Sequence, residues 1–211
     1  MQAAVRLAAP ASTERPGAAA QVATDADLVR RIAAGDKAAM NALFTRHHVR
    51  VYRFVVRRIG NAADAEDLTS EVFLDLWRHA ARFEGRSTVS TWLLAIARHK
   101  AISSLRRRTH DQLDDAVAAA IEDPADDPEA AVAKADRSAI LRRCLAALSP
   151  EHREIVDLVY YHERSVEEAA KILGIPENTV KTRMFYARKR LGHLLAAAGV
   201  DRTWIGNAGM N

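Results

Sequence analysis

The sequence predicts an all-α chain of two small helical domains joined by an acidic, flexible linker. Three observations carry this prediction. Apolar residues recur at three- and four-residue spacing in one segment after another, and no alternating β-branched run marks a strand. Glycines and capping residues punctuate those segments at helical lengths. Between Thr109 and Pro128 the chain turns acidic and carries Pro124 and Pro128, which suits a spacer better than a core element. The division that follows is a tail over 1–24, a first block over 25–108, the linker over 109–128, a second block over 129–195 and a tail over 196–211.

In the first block, Leu28, Val29 and Ile32 line a short helix that Gly35 ends, with Asp36 placed to cap the next. That second helix turns Met40, Leu43, Phe44, His47, Val51, Val55 and Ile59 inward and closes at Gly60. Asn61 or Asp64 starts a third, with Leu68, Val72, Leu76 and Phe83 inward. Ser90 or Thr91 starts a fourth, which presents Trp92, Leu93, Ile96 and Ile102 and runs into Arg106–Arg108. Trp92 is assigned to the core in preference to a stacking surface. The second block begins near Glu129, where Val132, Ile140, Leu141, Leu145 and Leu148 make the first stripe around Cys144. Ser149–Pro150 then opens a helix through Tyr161.

The stretch from Ser165 to Leu191 is laid out as a helix-turn-helix. Ser165 and Glu168 form a capping box, Val166, Ala169, Ala170 and Leu173 make an inner face, and Gly174 breaks the helix. Pro176 sits near the first turn of the next helix, whose buried stripe is Val180, Met184, Ala187 and Leu191. The opposite face carries Lys181, Thr182, Arg183, Phe185, Tyr186, Arg188 and Lys189. Cations, a hydroxyl and two aromatics near a helix N-terminus suit base edges and phosphates in a major groove. The plainer reading is a helical hairpin with a solvated basic face.

Composition narrows the class. The chain has 211 residues and a formal net charge of only +4, but the charge is segregated. From Arg86 to Arg108 there are six cations and no acid; from Asp111 to Asp136 there are nine acids against Lys134 alone. Such blocks predict separate functional surfaces. The single cysteine excludes an intramolecular disulfide and a cysteine-based zinc site. No apolar run approaches the length of a membrane span, and the Ala-rich N-terminus, broken by Arg6, Glu14, Arg15 and two prolines, does not read as a signal peptide. A cytoplasmic protein is expected.

Two further surfaces stand out. On the third helix Asp67, Glu71 and Asp75 follow one another at four-residue spacing beside Asp64 and Glu66. Like charges so placed cost a few tenths of a kcal/mol per pair, and the helix N-terminus compensates only the first of them. A self-repelling acidic stripe beside an apolar ridge suits a cationic protein partner; simple solubility is the alternative. On the fourth helix, cations with Trp92, His99, Ser103 and Ser104 could lie along a nucleic-acid strand.

The order DLVRRIAAGDKAAMNALF, DAEDLTSEVFLDLWRHAARFEG, STWLLAIARHKAISSLRRR, an acidic linker, then LSPEHREIVDLVYYHERSVEEAAKILGIPENTVKTRMFYARKRL resembles an extracytoplasmic-function (group IV) sigma factor of bacterial RNA polymerase. The likeness covers about residues 25–195. It implies that the first block is sigma region 2 and the second is region 4. The segment Asp64–Trp77 would then dock on the clamp helices of the polymerase, with Asp64, Glu66, Asp67, Leu68, Glu71 and Asp75 as contacts. The −10 element would be bound and opened by Arg86, Arg98, His99, Lys100, Ser103, Arg106, Arg107 and Arg108. The −35 element would be recognised by Thr179, Lys181, Thr182, Arg183, Phe185, Tyr186 and Arg188. The acidic linker would thread a basic channel as a nucleic-acid mimic. Two positions depart from the family pattern: His99 stands where many relatives have Asn, and Ser70 where many have Gln.

The resemblance implies core RNA polymerase, promoter DNA and an anti-sigma factor as partners, a role in a stress response, and no cofactor, metal or catalytic residue. A conventional helix-turn-helix regulator binding duplex operator DNA alone is the second reading. It leaves the acidic stripe and the basic fourth helix unexplained. An enzyme is the third. His47, His48, His99 and His110 invite a metal site, but no HExxH, paired-carboxylate or nucleophile motif accompanies them.

Overall fold

In the computed structural model, residues 23–111 and 138–200 are described. Local sequence signals set the helix ends. Thr24 and Asp27 form a capping box that opens α1 (Asp25–Ala33). Asp36 accepts hydrogen bonds from the amides of Ala38 and Ala39 and opens α2 (Lys37–Ile59), which Gly60 ends at φ 73. Asn61, not Asp64, caps α3 (Ala62–His79), which finishes in a 3-10 turn over Ala80–Arg82. The start of α4 (Val89–Asp111) falls before the expected Ser90 or Thr91. Thr88 supplies the cap instead, because its hydroxyl accepts from the Thr91 amide and its carbonyl from the Trp92 amide. α4 also runs past the expected boundary at Arg108.

Residues 138–146 are helical (α5). The calls on residues 1–22, 112–137 and 201–211, including most of the linker and the expected start of the second block, lie outside the described residues. Ser149 caps α6 (Pro150–Val156), whose continuation over Asp157–Tyr161 is a π-helical turn where a plain α-helix was expected. The predicted Ser165–Glu168 capping box is present at the start of α7 (Val166–Leu173). Gly174 then adopts φ 66, and Pro176 takes the N-cap of α8 (Glu177–Ala197).

Packing assembles these helices into two domains that share one core. α2 is the centre of the first, in contact with α1, α3 and α4; in the second, α8 packs on α6 and α7. The domains meet where α7 lies against α4. Val55, Val72, Leu93 and Leu94 of the first domain and Ile155, Leu158, Ala169 and Val180 of the second are fully buried in a single cluster. Each such Leu or Ile contributes about 1.5–3 kcal/mol relative to exposure. Trp92 is half-buried, packs against this cluster and has Phe83 at 5.1 Å between ring centroids, as its core assignment requires.

His47 explains itself through Asp25. The ring is buried on the inner stripe of α2 and its Nε2 lies 2.6 Å from the Asp25 carboxylate, which also accepts from Arg46 at 3.0 Å. Burial raises the Asp25 pKa, but the hydrogen bonds and charges of Arg46 and His47 outweigh it and hold the carboxyl below its ordinary value. A carboxyl lowered on folding stabilises the protein above its unfolded pKa of about 3.9 and loses that contribution as pH falls through the folded value. Asp25→Asn is therefore expected to lower stability at pH 7 by about 1–3 kcal/mol in urea titrations. It should also flatten the acid limb below about pH 4 relative to wild type.

Gly174→Ala addresses the helix-turn-helix corner. A Cβ there would meet nothing within 4 Å, so the cost is backbone strain alone. The expected loss is about 1–2 kcal/mol in thermal unfolding; an unchanged Tm would count against the left-handed corner.

Candidate nucleic-acid and polymerase interfaces

The exposed face of α8 is built by its buried one. Val180, Met184 and Ala187 are buried and Leu191 half-buried against α6 and α7, which turns Lys181, Thr182, Phe185, Tyr186 and Arg188 to solvent. Phe185 and Tyr186 are 58 % and 53 % exposed and meet edge to face at 5.4 Å. Exposed aromatics of that size on a cationic helix are costly in water and suit a planar or apolar partner. Thr179 and Arg183 are half-buried at the flanks of this face, and Thr182 donates to the Asn178 carbonyl at 2.9 Å. Arg183 faces Glu151, whose carboxyl is held low by its own backbone amide and the Ser149 hydroxyl, with Arg183 adding to the effect.

Beside this face lies an open depression of about 580 Å³ lined by Ser149, His152, Tyr186, Lys189, Arg190 and His193. Apart from Tyr186 and Lys189, which the sequence places on the DNA-facing side of the helix, none of these was singled out from sequence as part of a binding face. Their signal is weak in one dimension, because the start of α6 and the second half of α8 supply them from distant positions.

On α3, Glu66, Asp67 and Glu71 are exposed and Asp64 and Asp75 half-buried, so the acidic stripe exists as spaced. Leu68 does not belong to that surface. It is 5 % exposed and faces the core, since it shares the inward stripe of Val72 and Leu76; Leu74 is the leucine that stands out, at 52 %. The self-repulsion expected of the stripe is also partly relieved within the chain. Lys100 of α4 lies 3.1 Å from Glu71 and 2.9 Å from Asp75, and Arg108 pairs with Asp64. Burial lowers the Lys100 pKa, but hydrogen bonds to Asp75 and Glu71 reverse this and hold it above its ordinary value.

The same contacts correct the picture of α4. Its cations have no acid in their own segment, yet the inward-facing ones find acids on other helices. Arg98 donates to Glu154 of α6 at 2.8 Å. The same Glu154 oxygen lies 2.5 Å from Arg58, and the carboxylate is 4 % exposed. Burial pushes the Arg58 guanidinium below its ordinary value, the Glu154 charge opposes this, and the Arg98 charge reinforces it. Arg86 pairs with Glu84, while its carbonyl accepts from Lys171 of α7 at 3.1 Å. Thr91 donates to Glu168 at 2.6 Å. His99, Arg106 and Arg107 remain exposed, and Ser103 is half-buried. Among the described residues, no cluster of three His, Cys, Asp or Glu is placed to hold a metal, and no helix is long and apolar enough to cross a membrane.

Comparison with known proteins identifies the family. Residues 43–110 match the family model of sigma-70 region 2, and residues 138–191 that of sigma-70 region 4. The chain is 31% identical over 179 residues to the ECF RNA polymerase sigma factor SigK of Mycobacterium tuberculosis, covering 83% of this chain and 96% of SigK. It is 32% identical over 171 residues to SigL of the same species, covering 81% of this chain and 96% of SigL. Among solved structures, it resembles the sigma factor RpoE bound to the anti-sigma factor NepR from Bartonella quintana, with a TM-score of 0.63 and 26% identity over 77% of this chain and 98% of that one. CnrH in complex with the cytosolic domain of CnrY shares the fold at TM-score 0.61 and 24% identity over 82% of this chain and 97% of that one. With both sigma-70 regions matched in order and relatives above 30% identity along most of its length, the chain belongs to the extracytoplasmic-function RNA polymerase sigma factors.

Proposed function

We propose that this sigma factor binds core RNA polymerase through the acidic stripe of α3, opens the −10 element along α4 and recognises the −35 element with α8. It lends promoter specificity to the polymerase and performs no catalysis of its own. It works in the cytoplasm, in a stress response, under an anti-sigma factor of the kind seen with RpoE of Bartonella quintana. The observation that carries the reading is the exposed face of α8, where Lys181, Thr182, Phe185, Tyr186 and Arg188 stand opposite a buried stripe. A lone operator-binding regulator accounts for that face but gives no use to the exposed Glu66, Asp67 and Glu71 on a separate helix.

In this scheme Lys181 and Thr182 meet base edges, Thr179, Arg183 and Arg188 meet phosphates, and Phe185 and Tyr186 pack on thymine methyls or sugars. On α4, His99 is placed for an unstacked −10 base, with Arg86, Arg98, Lys100, Ser103 and Arg106–Arg108 along the strand. On α3, Asp64, Glu66, Asp67, Glu71 and Asp75 face the clamp, with Ser70 in place of the longer glutamine amide. We place region 2 within 25–108 and region 4 within 129–195, joined by the acidic segment 109–128.

Run-off transcription with purified core polymerase over a promoter library tests the whole reading. Core-dependent transcripts from one promoter family are expected; equal yield with and without the chain would defeat it. Reversing Asp67 and Glu71 to Lys is expected to abolish capture of core in a pull-down while the free chain still unfolds cooperatively, at a somewhat lower Tm because Glu71 pairs with Lys100. Retained capture would remove the stripe from the interface. Lys181→Ala is expected to cost about 1–3 kcal/mol with loss of base discrimination, whereas Arg188→Ala weakens all −35 sequences alike and reduces the salt slope by about one. Binding isotherms over a −35 library at several salt concentrations separate the two, and uniform losses in both would reject the division.

A further inference from the structure

The cationic side of α8 does not stop at Arg188. Tyr186, Lys189, Arg190 and His193 follow at i, i+3, i+4 and i+7, so they share one face, and all four are exposed. They form one wall of the open depression of about 580 Å³, and His152 near the start of α6 stands on the other. No acid is among the lining residues. Among the described residues, Lys189, Arg190 and His193 have no ion pair. Arg98, Lys100 and Arg108 differ, because acids of the same chain hold them.

The charged groups around the two histidines are few. On α6, Glu151 stands beside His152, but its carboxylate already accepts from the Ser149 hydroxyl and its own amide. Glu154 is taken by Arg58 and Arg98. Arg153 donates to the carbonyls of Leu145, Ala146 and Leu148, and Arg142 of α5 to that of Ser138. Arg143 is exposed outside the lining, and α7 contributes nothing to it. On α8 the neighbours are Tyr186, Lys189 and Arg190, with Arg183 facing Glu151.

The place of this depression along α8 fits duplex backbone. At about 1.5 Å per residue, His193 lies about 18 Å along the axis from Lys181. A recognition helix meets base edges with its N-terminal turns, and the major groove is only about 12 Å wide. With Lys181 and Thr182 at the bases, the turns beyond Arg188 leave the groove at its rim. Phosphates stand there, and a basic cradle without acids is their complement. An imidazole in such a cradle favours its protonated form, because an opposite charge within about 4–6 Å stabilises it.

We propose that this depression is a phosphate subsite: His152, Lys189, Arg190 and His193 hold the backbone of one strand at the rim of the −35 duplex, and the two histidines do so in their protonated form. Promoter binding by this chain is then coupled to proton uptake. The inference rests on the −35 reading of α8 and deepens it with a contact outside the bases. Its sign follows from linkage. Histidine ordinarily titrates at about pH 6.5, and a phosphate raises that value in the complex. Affinity is therefore greatest below about pH 6.5 and falls as pH rises through the value in the complex. Lys189 and Arg190 carry charge throughout this range, so their share does not vary with pH.

The test uses the full chain assembled with core polymerase on a fluorescein-labelled duplex of the promoter found by run-off. Anisotropy reads affinity between about pH 6 and about pH 8. Wild type is expected to bind about tenfold more tightly at the lower pH. In the double variant His152→Gln, His193→Gln that ratio should fall below about twofold. The double variant Lys189→Ala, Arg190→Ala should weaken binding about tenfold and reduce the salt slope by about two. A scan of single neutral methylphosphonates along the −35 backbone locates the contact, and at a position on the groove rim wild type should lose its pH ratio. A wild-type ratio below about twofold, or a wild-type ratio kept by the double histidine variant, would overturn the subsite while persistent run-off leaves the sigma-factor reading standing. A scan without such a position would overturn DNA as the occupant, and the proposal with it. Absence of core-dependent run-off from wild type would overturn the sigma-factor reading and the subsite together. Should the double histidine variant fail to fold in a thermal melt, His193→Gln alone decides, with the ratio expected to fall by at least about half.

Discussion

A buried carboxylate between two guanidinium groups ties this molecule together. Glu154 sits at 4 % exposure with Arg58 of α2 and Arg98 of α4 on the same oxygen, so three helices from two domains share one electrostatic commitment. In low dielectric such a group is tolerated only while its partners remain, and losing one costs about 3–5 kcal/mol. Hydrophobic burial supplies the larger share of stability, through the common cluster that runs from Leu28 to Ala187. That burial is indifferent to exact orientation. The charged contacts are not, and they set how α6 and α7 lie on α2 and α4.

The same economy governs the rest of the charged surface. α4 is rich in cations, and its sequence suggests a face waiting for phosphate. In the folded chain Lys100 instead bridges Glu71 and Asp75, Arg108 pairs with Asp64, and Arg98 is held by Glu154. Only His99, Arg106 and Arg107 of the proposed −10 group on this helix stand fully exposed. The acidic stripe and the basic helix thus satisfy each other in the free protein, and any partner that takes one side must compete for it. This links the proposed polymerase contact on α3 to the proposed DNA contact on α4 through a single ammonium group. α8 is different in kind: no acid neutralises Lys181 or Arg188 within hydrogen-bonding distance among the described residues, and its aromatics face water.

Much of this was legible in one dimension. Capping boxes at Thr24–Asp27 and Ser165–Glu168, left-handed glycines at Gly60 and Gly174, and three- to four-residue apolar spacing are local signals, because each joins atoms within one or two helical turns. The buried stripe of α8, and with it the exposed face that carries the proposed −35 contacts, follows from helical periodicity alone. The acids of α3 were legible in the same way, whereas the family was legible only as a resemblance carried by four motifs in order. The misplaced elements are those where two local signals compete: Thr88 against Ser90 and Thr91 as the cap of α4, and Leu68 between an acidic stripe and an apolar one.

The sequence by itself therefore determined an all-α chain, the positions of its helices, and which residue types each face presents. Tertiary structure alone decided which of those faces remain free. Glu154 finds Arg98 across 56 residues, Asp157 finds Arg57 across 100, and Lys100 reaches Glu71 across 29. No periodicity encodes such pairings, because they depend on how helices already formed pack against one another. Charge on a helix can be counted from a sequence; whether it is spent inside the protein or kept for a partner is settled only where the helices meet.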